Sequence, residues 1–243
     1  MIDTHCHLTK RFWEDPKPII DAAIATGVEK LICVGTNLED SAEAIKIANK
    51  FEGVYASVGI HPEETCNDWG LFEKLVTNKK VVAIGECGLD YKGGLPNQKE
   101  VFEKQIEISK RLNLPLIIHC REAQKEMEKI LSAYGLQDDT LRGVLHCFAG
   151  GMEIPEGFYV SFAGNVTFKN AKELRETARN IPLEKLLVET DSPFLAPEPV
   201  RGSINEPKNV KIIAQYLADL KGLNINDIER ITTENAKKLF RGL

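Results

Sequence analysis

Histidine is the residue type whose positions in this sequence most clearly point to chemistry. The chain contains five histidines, and each one ends or directly follows a short apolar run that predicts a buried strand: His5, His7, His61, His119 and His146. Imidazole is a common metal ligand and can carry a proton near neutral pH. If the strand ends meet in space, these side chains can form one metal-binding or acid–base site.

The spacing of the first two histidines suits chelation. Side chains two residues apart in a strand point to the same face, so His5 and His7 face one side and Cys6 the other. Two imidazoles on one face can hold a single ion. For this pair taken alone, two histidines packed in a core remain an equally good interpretation.

Two acidic residues are placed in the same way. Glu86 ends the fourth predicted strand, and Asp191 follows the eighth. A single carboxylate at such a position usually caps a helix or forms a surface ion pair. Two carboxylates on a face that already carries several imidazoles are costly to bury unless a cation neutralises them. One ion has too few coordination positions for all these groups, so the set favours two ions that share a bridging carboxylate.

The cysteines offer no competing zinc motif, because none of the six lies in a Cys-x-x-Cys pair. Cys6, Cys87, Cys120 and Cys147 each directly follow a candidate ligand. Side-chain alternation turns such residues toward the layer between strands and helices, where a thiol packs as a small apolar group. We therefore expect free thiols rather than disulfides or thiolate ligands.

Eight apolar runs predict the strands that would position these side chains. The predicted strands are 2–7, 30–35, 54–60, 81–86, 115–120, 143–147, 158–163 and 185–190. The predicted helices are 18–26, 40–50, 71–78, 97–112, 123–133, 169–180, 207–221 and 225–240. Near-continuous apolar strands suit a parallel sheet buried on both faces. This alternation favours a protein of the α/β class folded as a closed (β/α)8 TIM barrel, with residues 1–243 as a single domain.

The link between the sixth and seventh predicted strands is unusually short. Residues 152–157 include Pro155 and leave no room for a full helix, so we expect a short turn of helix there. The carboxyl ends of barrel strands converge on the face where active sites are built. Histidines that are far apart in the sequence should therefore become neighbours.

The composition excludes several classes of protein. With 43% hydrophobic and 28% charged residues, the chain is globular and not disordered. It has no apolar stretch long enough for a membrane span and no secretory signal, so we expect a cytoplasmic protein without a membrane partner. No obligatory protein partner is evident. The net charge of −5 argues against broad charge neutralisation of nucleic acid, so bound metal must supply positive charge if phosphates are the substrate.

Taken together, the motifs resemble those of the TatD family of metal-dependent deoxyribonucleases, within the amidohydrolase-type barrels. The resemblance runs from about residue 2 to residue 240 and is carried, in order, by His5-x-His7, Gly59-Ile60-His61-Pro62, Gly85-Glu86-x-Gly88-Leu89-Asp90-Tyr91, Ile118-His119-Cys120-Arg121, His146-Cys147-Phe148-x-Gly150, Glu189-Thr190-Asp191-Ser192-Pro193 and Arg201-Gly202-x-x-Asn205-Glu206-Pro207. Ordered motifs at matching spacings are far more specific than one His-x-His pair. The sequence departs from the family pattern at Cys87 and Ala149, neither of which is expected to be a ligand.

The resemblance implies a role for each matching residue. The ligands implied for one divalent ion are His5, His7, Glu86 and Asp191. The ligands implied for a second ion are His119 and His146, with Glu86 as the bridge. Asp191 would also orient the attacking water and accept its proton, and His61 would contact the substrate phosphate or protonate the leaving oxygen. The ions would be Mg²⁺, Mn²⁺ or Zn²⁺.

The resemblance also implies substrate contacts. Arg121 follows a ligand and would face the phosphate, although a salt bridge at the rim of the barrel is an equally good interpretation. Arg201 and Asn205 lie in the proline-rich loop 196–207, where they could contact substrate or merely hold the loop.

Other residues near the strand ends admit two interpretations. Asp3 and Glu189 have the strand parity of ligands, so either could hydrogen-bond a ligand imidazole or form a structural salt bridge. Trp69, Tyr91 and Phe148 could stack on a nucleobase, although packing at the rim is the commoner role.

Three functions are compatible with this pattern. We favour a metal-dependent deoxyribonuclease with DNA as substrate, acting as an exonuclease on single-stranded or frayed ends, because a deep barrel mouth suits a chain end. A hydrolase of an amide, lactone or aminoacyl ester with two metal ions is the alternative, since metals also polarise carbonyls and a fold does not fix the substrate. A third possibility is a scaffold with structural ions. Arg121, Arg201 and His61 facing the site would favour the nuclease.

Overall fold

The structure is a computed structural model, and it describes residues 1–135 and 141–243. Its eight described strands form one sheet in sequence order: β1 (Ile2–Cys6), β2 (Lys30–Val34), β3 (Val54–Val58), β4 (Val81–Asp90), β5 (Leu116–Arg121), β6 (Gly143–Leu145), β7 (Phe158–Phe162) and β8 (Leu186–Val188). Every sequential pair is parallel. The predicted TIM-barrel architecture is confirmed, whereas the single-domain organisation stays a prediction.

Backbone hydrogen bonds join the two ends of the sheet. The Asp191 N–H donates to the carbonyl of His5 at 2.9 Å, and the His7 N–H donates to the carbonyl of Ser192 at 2.8 Å. Cys6 and Ser192 also form an isolated parallel bridge. These contacts lie beyond the end of β8, so the closure of the barrel itself brings His5, His7 and Asp191 together.

Helices separate the strands as predicted, except between β6 and β7, and two helices follow β8. They are α1 (Lys17–Ala25), α2 (Leu38–Lys50), α3 (Trp69–Val76), α4 (Gln98–Leu112), α5 (Gln124–Gly135), α6 (Lys172–Asn180), α7 (Val210–Lys221) and α8 (Ile225–Leu239). Asn37, Asp68 and Asn224 begin α2, α3 and α8, because each side chain accepts a hydrogen bond from a backbone N–H of the first turn. None of the helices in the described ranges is long and apolar enough to cross a bilayer.

The connection from β6 to β7 differs from the prediction. Residues 146–157, all of them described, form turns and loop without a helix, so the expected short turn of helix is wrong. Gly150, Gly151 and Gly157 have φ values of 82°, 80° and 78°, which a right-handed helix does not allow. Pro155 removes a further backbone donor. A short 3₁₀ turn occurs instead after β7, at Gly164–Thr167.

Alternation along the strands divides the core into two parts. Leu31 and Ile118 pack in the layer between strands and helices, whereas Ile32 and Ile117 belong to a second cluster made mostly of strand residues. This second cluster fills the inside of the barrel, and Phe240 packs against it. Because the interior is filled, the space for a site lies at the strand ends.

Cys6 and Cys87 lie where the alternation predicts, and Cys120 packs partly buried against the same layer. Cys147 lies outside the strands with a φ of 46° and belongs to neither cluster, so its predicted placement is not confirmed. All six are free thiols. Cys6 and Cys87 are fully buried in the layer between strands and helices, and burial raises the pKa of both thiols well above the usual value. They therefore stay protonated and are poor metal ligands.

Candidate metal centre

The ends of five strands bring the predicted ligands to one mouth of the barrel. These residues are His5, His7, Glu86, His119, His146 and Asp191. Neighbouring strands are in register where this matters, since Gly88 and Asp90 in β4 pair with His119 and Arg121 in β5. The convergence that was expected from topology alone is therefore present.

Two glycines of the sequence motifs allow the strands to approach closely enough. A Cβ at Gly59 would lie 2.2 Å from the carbonyl carbon of Gly85, next to Glu86. A Cβ at Gly88 would lie 2.0 Å from the carbonyl oxygen of His119, and Gly88 has a φ of 138°. A larger residue at either position would push β4 away from a neighbouring strand and displace a candidate ligand.

Glu86 lies at the centre of the cluster and divides it into two groups. Its Oε2 lies 3.5 Å from Nε2 of His5 and 3.9 Å from Nε2 of His7. Its Oε1 lies 3.0 Å from Nδ1 of His119 and 2.9 Å from Nε2 of His146. A carboxylate with one oxygen toward each group has the geometry that a bridging ligand requires.

His5, His7 and Asp191 form the first group. Oδ1 of Asp191 lies 3.6 Å from Nε2 of His5 and 3.5 Å from Nε2 of His7. The two Nε2 atoms are 3.3 Å apart. Nδ1 of His7 lies 3.2 Å from the carbonyl of Val34, so this nitrogen carries the proton and donates it. Burial lowers the pKa of His7, but the hydrogen bond to Asp191 and the charges of Glu86 and Asp191 raise it above its ordinary value. In the metal-free site Nε2 therefore also carries a proton, which it donates to Asp191, and it presents a lone pair once that proton is released.

His119 and His146 form the second group. Nδ1 of His119 and Nε2 of His146 are 3.3 Å apart. Each ring has a carboxylate at its other nitrogen: Oδ2 of Asp90 lies 3.0 Å from Nε2 of His119, and Oε1 of Glu189 lies 3.4 Å from Nδ1 of His146. Asp90 is within hydrogen-bond distance and would hold the proton on the far nitrogen of His119, which leaves its near lone pair free for a cation. Glu189 forms a longer contact with Nδ1 of His146, which makes no hydrogen bond to a described residue.

Asp3 and Glu189 differ in role. Oε1 of Glu189 also accepts a hydrogen bond from the backbone of Cys147 at 2.7 Å, which fixes it beside the His146 ring. Asp3 instead accepts hydrogen bonds from the backbone and hydroxyl of Thr190 at 2.9 and 2.6 Å. Burial raises the pKa of Asp3 to about 8. Glu189 is thus the residue of this pair that contacts a ligand imidazole, and Asp3 joins β1 to the end of β8.

The donor set fits divalent cations. In each group, two ring nitrogens face each other at 3.3 Å, with a carboxylate oxygen beside them. Two lone pairs cannot face each other at this distance without repulsion, so a cation or a proton must lie between the nitrogens. Mixed imidazole and carboxylate ligands suit divalent transition metals. The described residues that could hold an ion within one group include His5, His7 and Glu86.

The charges in the cluster support this assignment. Burial raises the pKa of Glu86, but the positive charge of His146 outweighs it and holds the pKa well below the usual value. Burial likewise raises the pKa of Asp191, yet the hydrogen bond from His7 brings it below the usual value. Burial lowers the pKa of His146, and Glu86 and Glu189 together raise it well above the usual value. The carboxylates are therefore ionised opposite an imidazole that keeps its proton until a cation replaces it.

His61 differs from His7 because its Nδ1 accepts a hydrogen bond instead of donating one. It lies in the loop after β3, and the Glu63 N–H donates to its Nδ1 at 3.2 Å. The proton of the neutral ring is therefore on Nε2, which faces the site 3.5 Å from Oε1 of Glu86. Burial lowers the pKa of His61 and favours this neutral form. In this tautomer His61 presents an N–H donor to the cavity, and together with Glu86 and His119 it also forms a group that could hold an ion.

A cavity of about 370 Å³ opens above the cluster, and its wall contains two arginines. Nη1 of Arg121 lies 3.8 Å from Oδ2 of Asp90, so this residue both lines the cavity and forms an ion pair. Arg11 was not predicted: it donates to Oγ1 of Thr36 at 3.1 Å and to Glu64 at 3.0 Å. No motif surrounds Arg11, so the sequence carried no signal for it.

The loop after β8 does not bring its two predicted contacts to the cavity. Asn205 is fully buried, and its amide donates to two carbonyls, that of Thr190 at 2.9 Å and a second at 2.7 Å. This corrects the expected substrate contact, because the side chain holds the loop instead. Arg201 pairs with Glu198 at 3.8 Å and lies 4.1 Å from the ring centre of Phe168. Neither residue is among the described residues that line the cavity.

Some aromatic residues near the strand ends pack in the core, and others line the cavity. Phe148 is buried and Trp69 packs against the core, so both have packing roles. Tyr91 is 56% exposed. Phe12 and Phe194, which the sequence analysis did not identify, line the cavity. Phe194 could have been found from its position directly after Asp191-Ser192-Pro193, whereas Phe12 lies in a loop without a motif.

The chain resembles known proteins over its whole length. Residues 2–241 match the family model described as TatD related DNase. The uncharacterized metal-dependent hydrolase YabD of Bacillus subtilis (strain 168) is 42% identical over 254 residues, which cover 99% of each chain. The 3'-5' ssDNA/RNA exonuclease TatD of Shigella flexneri serotype 5b is 33% identical over 258 residues, which cover 99% of this chain and 98% of that protein. The crystal structure of YJJV, a TatD homologue from Escherichia coli K12, superposes with a TM-score of 0.89 at 28% identity, covering 99% of this chain and 97% of that one.

Proposed function

Because this chain belongs to the TatD-related DNase family of metal-dependent hydrolases, we propose that it is a deoxyribonuclease that removes nucleotides from single-stranded or frayed DNA ends. The observation that carries the proposal is the division of donors around Glu86, beneath a cavity that presents the N–H of His61 and the guanidinium of Arg121. The Shigella relative is named a 3'-5' ssDNA/RNA exonuclease, which supports a nucleic-acid substrate and attack from a 3′ end.

Two divalent ions would be held by the two groups of donors. The residues that would hold the first are His5, His7, Asp191 and Oε2 of Glu86, and those that would hold the second are His119, His146 and Oε1 of Glu86. When bound, such ions lower the pKa of water and neutralise negative charge on phosphoryl oxygens. Mg²⁺, Mn²⁺ and Zn²⁺ are all compatible with these ligands.

The protein's own residues supply the proton transfers and the orientation of the substrate. Asp191 is ionised at neutral pH and would orient the attacking water and accept its proton. His61 would donate its Nε2–H to a phosphoryl oxygen or to the leaving oxygen. Arg121 would bind the phosphate, with its side chain held by the buried carboxylate of Asp90.

The cavity geometry supports a chain end as substrate. The Glu86 carboxylate is almost fully buried, so a scissile phosphate must enter the barrel mouth to reach it. A cavity of about 370 Å³ is small for the middle of a duplex, which favours a terminal nucleotide as the group that enters it. The opening also argues against a structural metal site, which is closed and fully coordinated by protein.

Hydrolysis of an amide, lactone or aminoacyl ester is the second candidate. The observation in its favour is that Arg201 lies away from the cavity, which removes one expected phosphate contact. Arg121 and His61 do line the cavity, and their cationic and N–H groups favour the phosphodiester. The cytoplasmic location predicted from the sequence stays a prediction.

A digest of mixed substrates tests the proposed function. Metal-free protein is supplied with Mg²⁺, Mn²⁺ or Zn²⁺ and given end-labelled linear single-stranded DNA, circular single-stranded DNA, blunt duplex, RNA, and p-nitrophenyl ester and lactone substrates. We expect cleavage of the linear single strand, loss of activity with EDTA, and recovery when the ion is restored. Equal cleavage of circles would contradict an exonuclease. Ester or lactone hydrolysis without DNA cleavage would favour the second candidate.

A further inference from the structure

An exposed aromatic wall lies beside the first group of ligands. Phe194 is 48% exposed and lines the same cavity as His7 and Asp191. Its ring meets that of Phe12 edge-to-face, with centres 5.4 Å apart. The centres of the Phe12 and Phe194 rings lie 5.3 and 6.1 Å from the His7 ring. The two rings therefore stand within one side chain's reach of a candidate metal ligand.

The backbone holds this wall in place. The N–H of Phe194 donates to the carbonyl of Asp191 at 2.9 Å. The carbonyl of Phe194 accepts a hydrogen bond at 2.7 Å from Asn205, which is fully buried. The aromatic ring is thus attached to a segment whose geometry is coupled to a ligand, and it does not lie on a free loop.

The surroundings of the wall indicate what would cover it. Phe194 leaves about half of its apolar surface in contact with water at the rim of a charged cavity. A ligand that packs on the ring would remove this surface from water, which is favourable. The guanidinium of Arg11, which pairs with Glu64 at 3.0 Å, lies 5.7 Å from the centre of the Phe12 ring, so a cationic group stands beside the apolar face. A nucleotide combines a flat base with a phosphate, and bases stack on aromatic side chains without regard to sequence. A simple ester or lactone does not require both features.

We infer that Phe194, supported edge-to-face by the partly buried Phe12, provides a stacking face in this wall for the nucleobase of the nucleotide whose phosphate reaches the metal-ligand cluster. This inference rests on the proposed nuclease function and adds the means of recognition. A base inside a duplex already has both faces covered by its neighbours. The terminal base must therefore be unstacked to bind the wall, which selects single-stranded ends without any contact specific to base identity.

The test compares Phe194 variants on ends with and without a base. Phe194→Leu keeps apolar volume but removes the flat aromatic face, and Phe194→Trp restores one. Phe12→Leu is a second variant, which leaves Phe194 in place and removes its partner. Ile24→Ala is the matched control, because Ile24 is 52% exposed on α1 and is not among the described residues lining the cavity. Each protein is supplied with Mn²⁺ and given linear single-stranded DNA that ends in a normal or an abasic nucleotide.

We expect Phe194→Leu to raise KM for the normal end by about fivefold or more, as loss of one base–aromatic stack predicts. For wild-type protein, KM should be higher on the abasic end than on the normal end by a similar factor. On the abasic end, Phe194→Leu should have the same KM as wild type. Phe194→Trp should recover most of the affinity that Phe194→Leu loses, and Ile24→Ala should remain within about twofold of wild type. Unchanged KM on the normal end, or an equal added loss on the abasic end, would overturn the inference and leave the nuclease function standing. Failure of wild-type protein to cleave either DNA would overturn the nuclease function and the inference with it.

Discussion

Replacement of Asp90 by asparagine gives a sharp test of how the second group of ligands is held. Oδ1 of Asp90 accepts hydrogen bonds from the N–H groups of Lys92 and Gly93 at 2.8 and 2.9 Å. Its Oδ2 lies 3.0 Å from Nε2 of His119 and 3.8 Å from Nη1 of Arg121. The asparagine carbonyl can keep the backbone hydrogen bonds, so the variant should fold. The NH₂ group of the asparagine must then face two other donors, Nε2–H of His119 and the guanidinium of Arg121.

The conflict between donors is relieved if the proton of His119 moves from Nε2 to Nδ1. Nδ1 is the atom that lies 3.0 Å from Oε1 of Glu86, so the ring would lose the lone pair that binds a cation. A hydrogen bond to a charged group contributes about 1.5–3 kcal/mol. Its loss corresponds to roughly 10- to 100-fold weaker metal binding, the range found when an outer partner of a metal-bound histidine is removed.

Calorimetric titration of metal-free protein with Mn²⁺ measures this effect directly. Asp90→Asn should weaken the binding of one ion by that factor, and the Mn²⁺ concentration that gives half-maximal activity should rise in parallel. Asp219→Asn is the matched control, because it makes the same charge change at an exposed position on α7. Unchanged binding of every ion by Asp90→Asn would refute the tautomer reasoning.

Three further predictions follow from the geometry of the site. Asp191→Asn, which preserves shape, should lower kcat by about a hundredfold or more while Tm changes little, and retained turnover would refute its role as proton acceptor. Because the pKa of His146 is raised above its ordinary value, the metal-free site is protonated at neutral pH and must release a proton to bind an ion. Metal affinity should therefore fall as pH is lowered, by up to about tenfold per pH unit for each proton released, and titration in two buffers should show that release; no dependence on buffer would contradict it. Arg121→Ala should raise KM for DNA by roughly tenfold, because Arg121 lines the cavity. Arg201→Ala should change KM by no more than about twofold, because Arg201 is not among the described residues that line it. Equal effects of the two variants would contradict the conclusion that only Arg121 binds the substrate phosphate.

The ligand cluster could be predicted because it follows from periodicity and topology. Strand alternation places His5 and His7 on one face, and parallel order carries every strand end to one mouth. Asp90 lies in the same motif as Glu86, but the sequence did not predict its contact with His119. That contact depends on the register of β4 with β5, which the apolar pattern does not fix. The prediction ended β4 at Glu86, whereas the strand continues to Asp90.

The parts that could not be predicted lie in loops. Whether Asn205 contacts substrate or is buried depends on the path of the loop after β8, and its polar side chain suits either role. Arg11 and Phe12 follow β1 without any periodic pattern to place them. The β6–β7 connection was expected to contain only a short turn of helix because it is too short for a full helix, but the positive φ values of Gly151 and Gly157 appear in the structure alone.

Anomalous scattering from crystals grown with Mn²⁺ tests the central claim most directly. The arrangement of donors predicts two ions about 3.5–4 Å apart, with one on each side of the Glu86 carboxylate, each bound to one oxygen. It also predicts that His61 contributes no ligand, because its Nδ1 accepts a hydrogen bond and its Nε2 carries the proton. A single ion, or two ions bound without Glu86, would contradict the account.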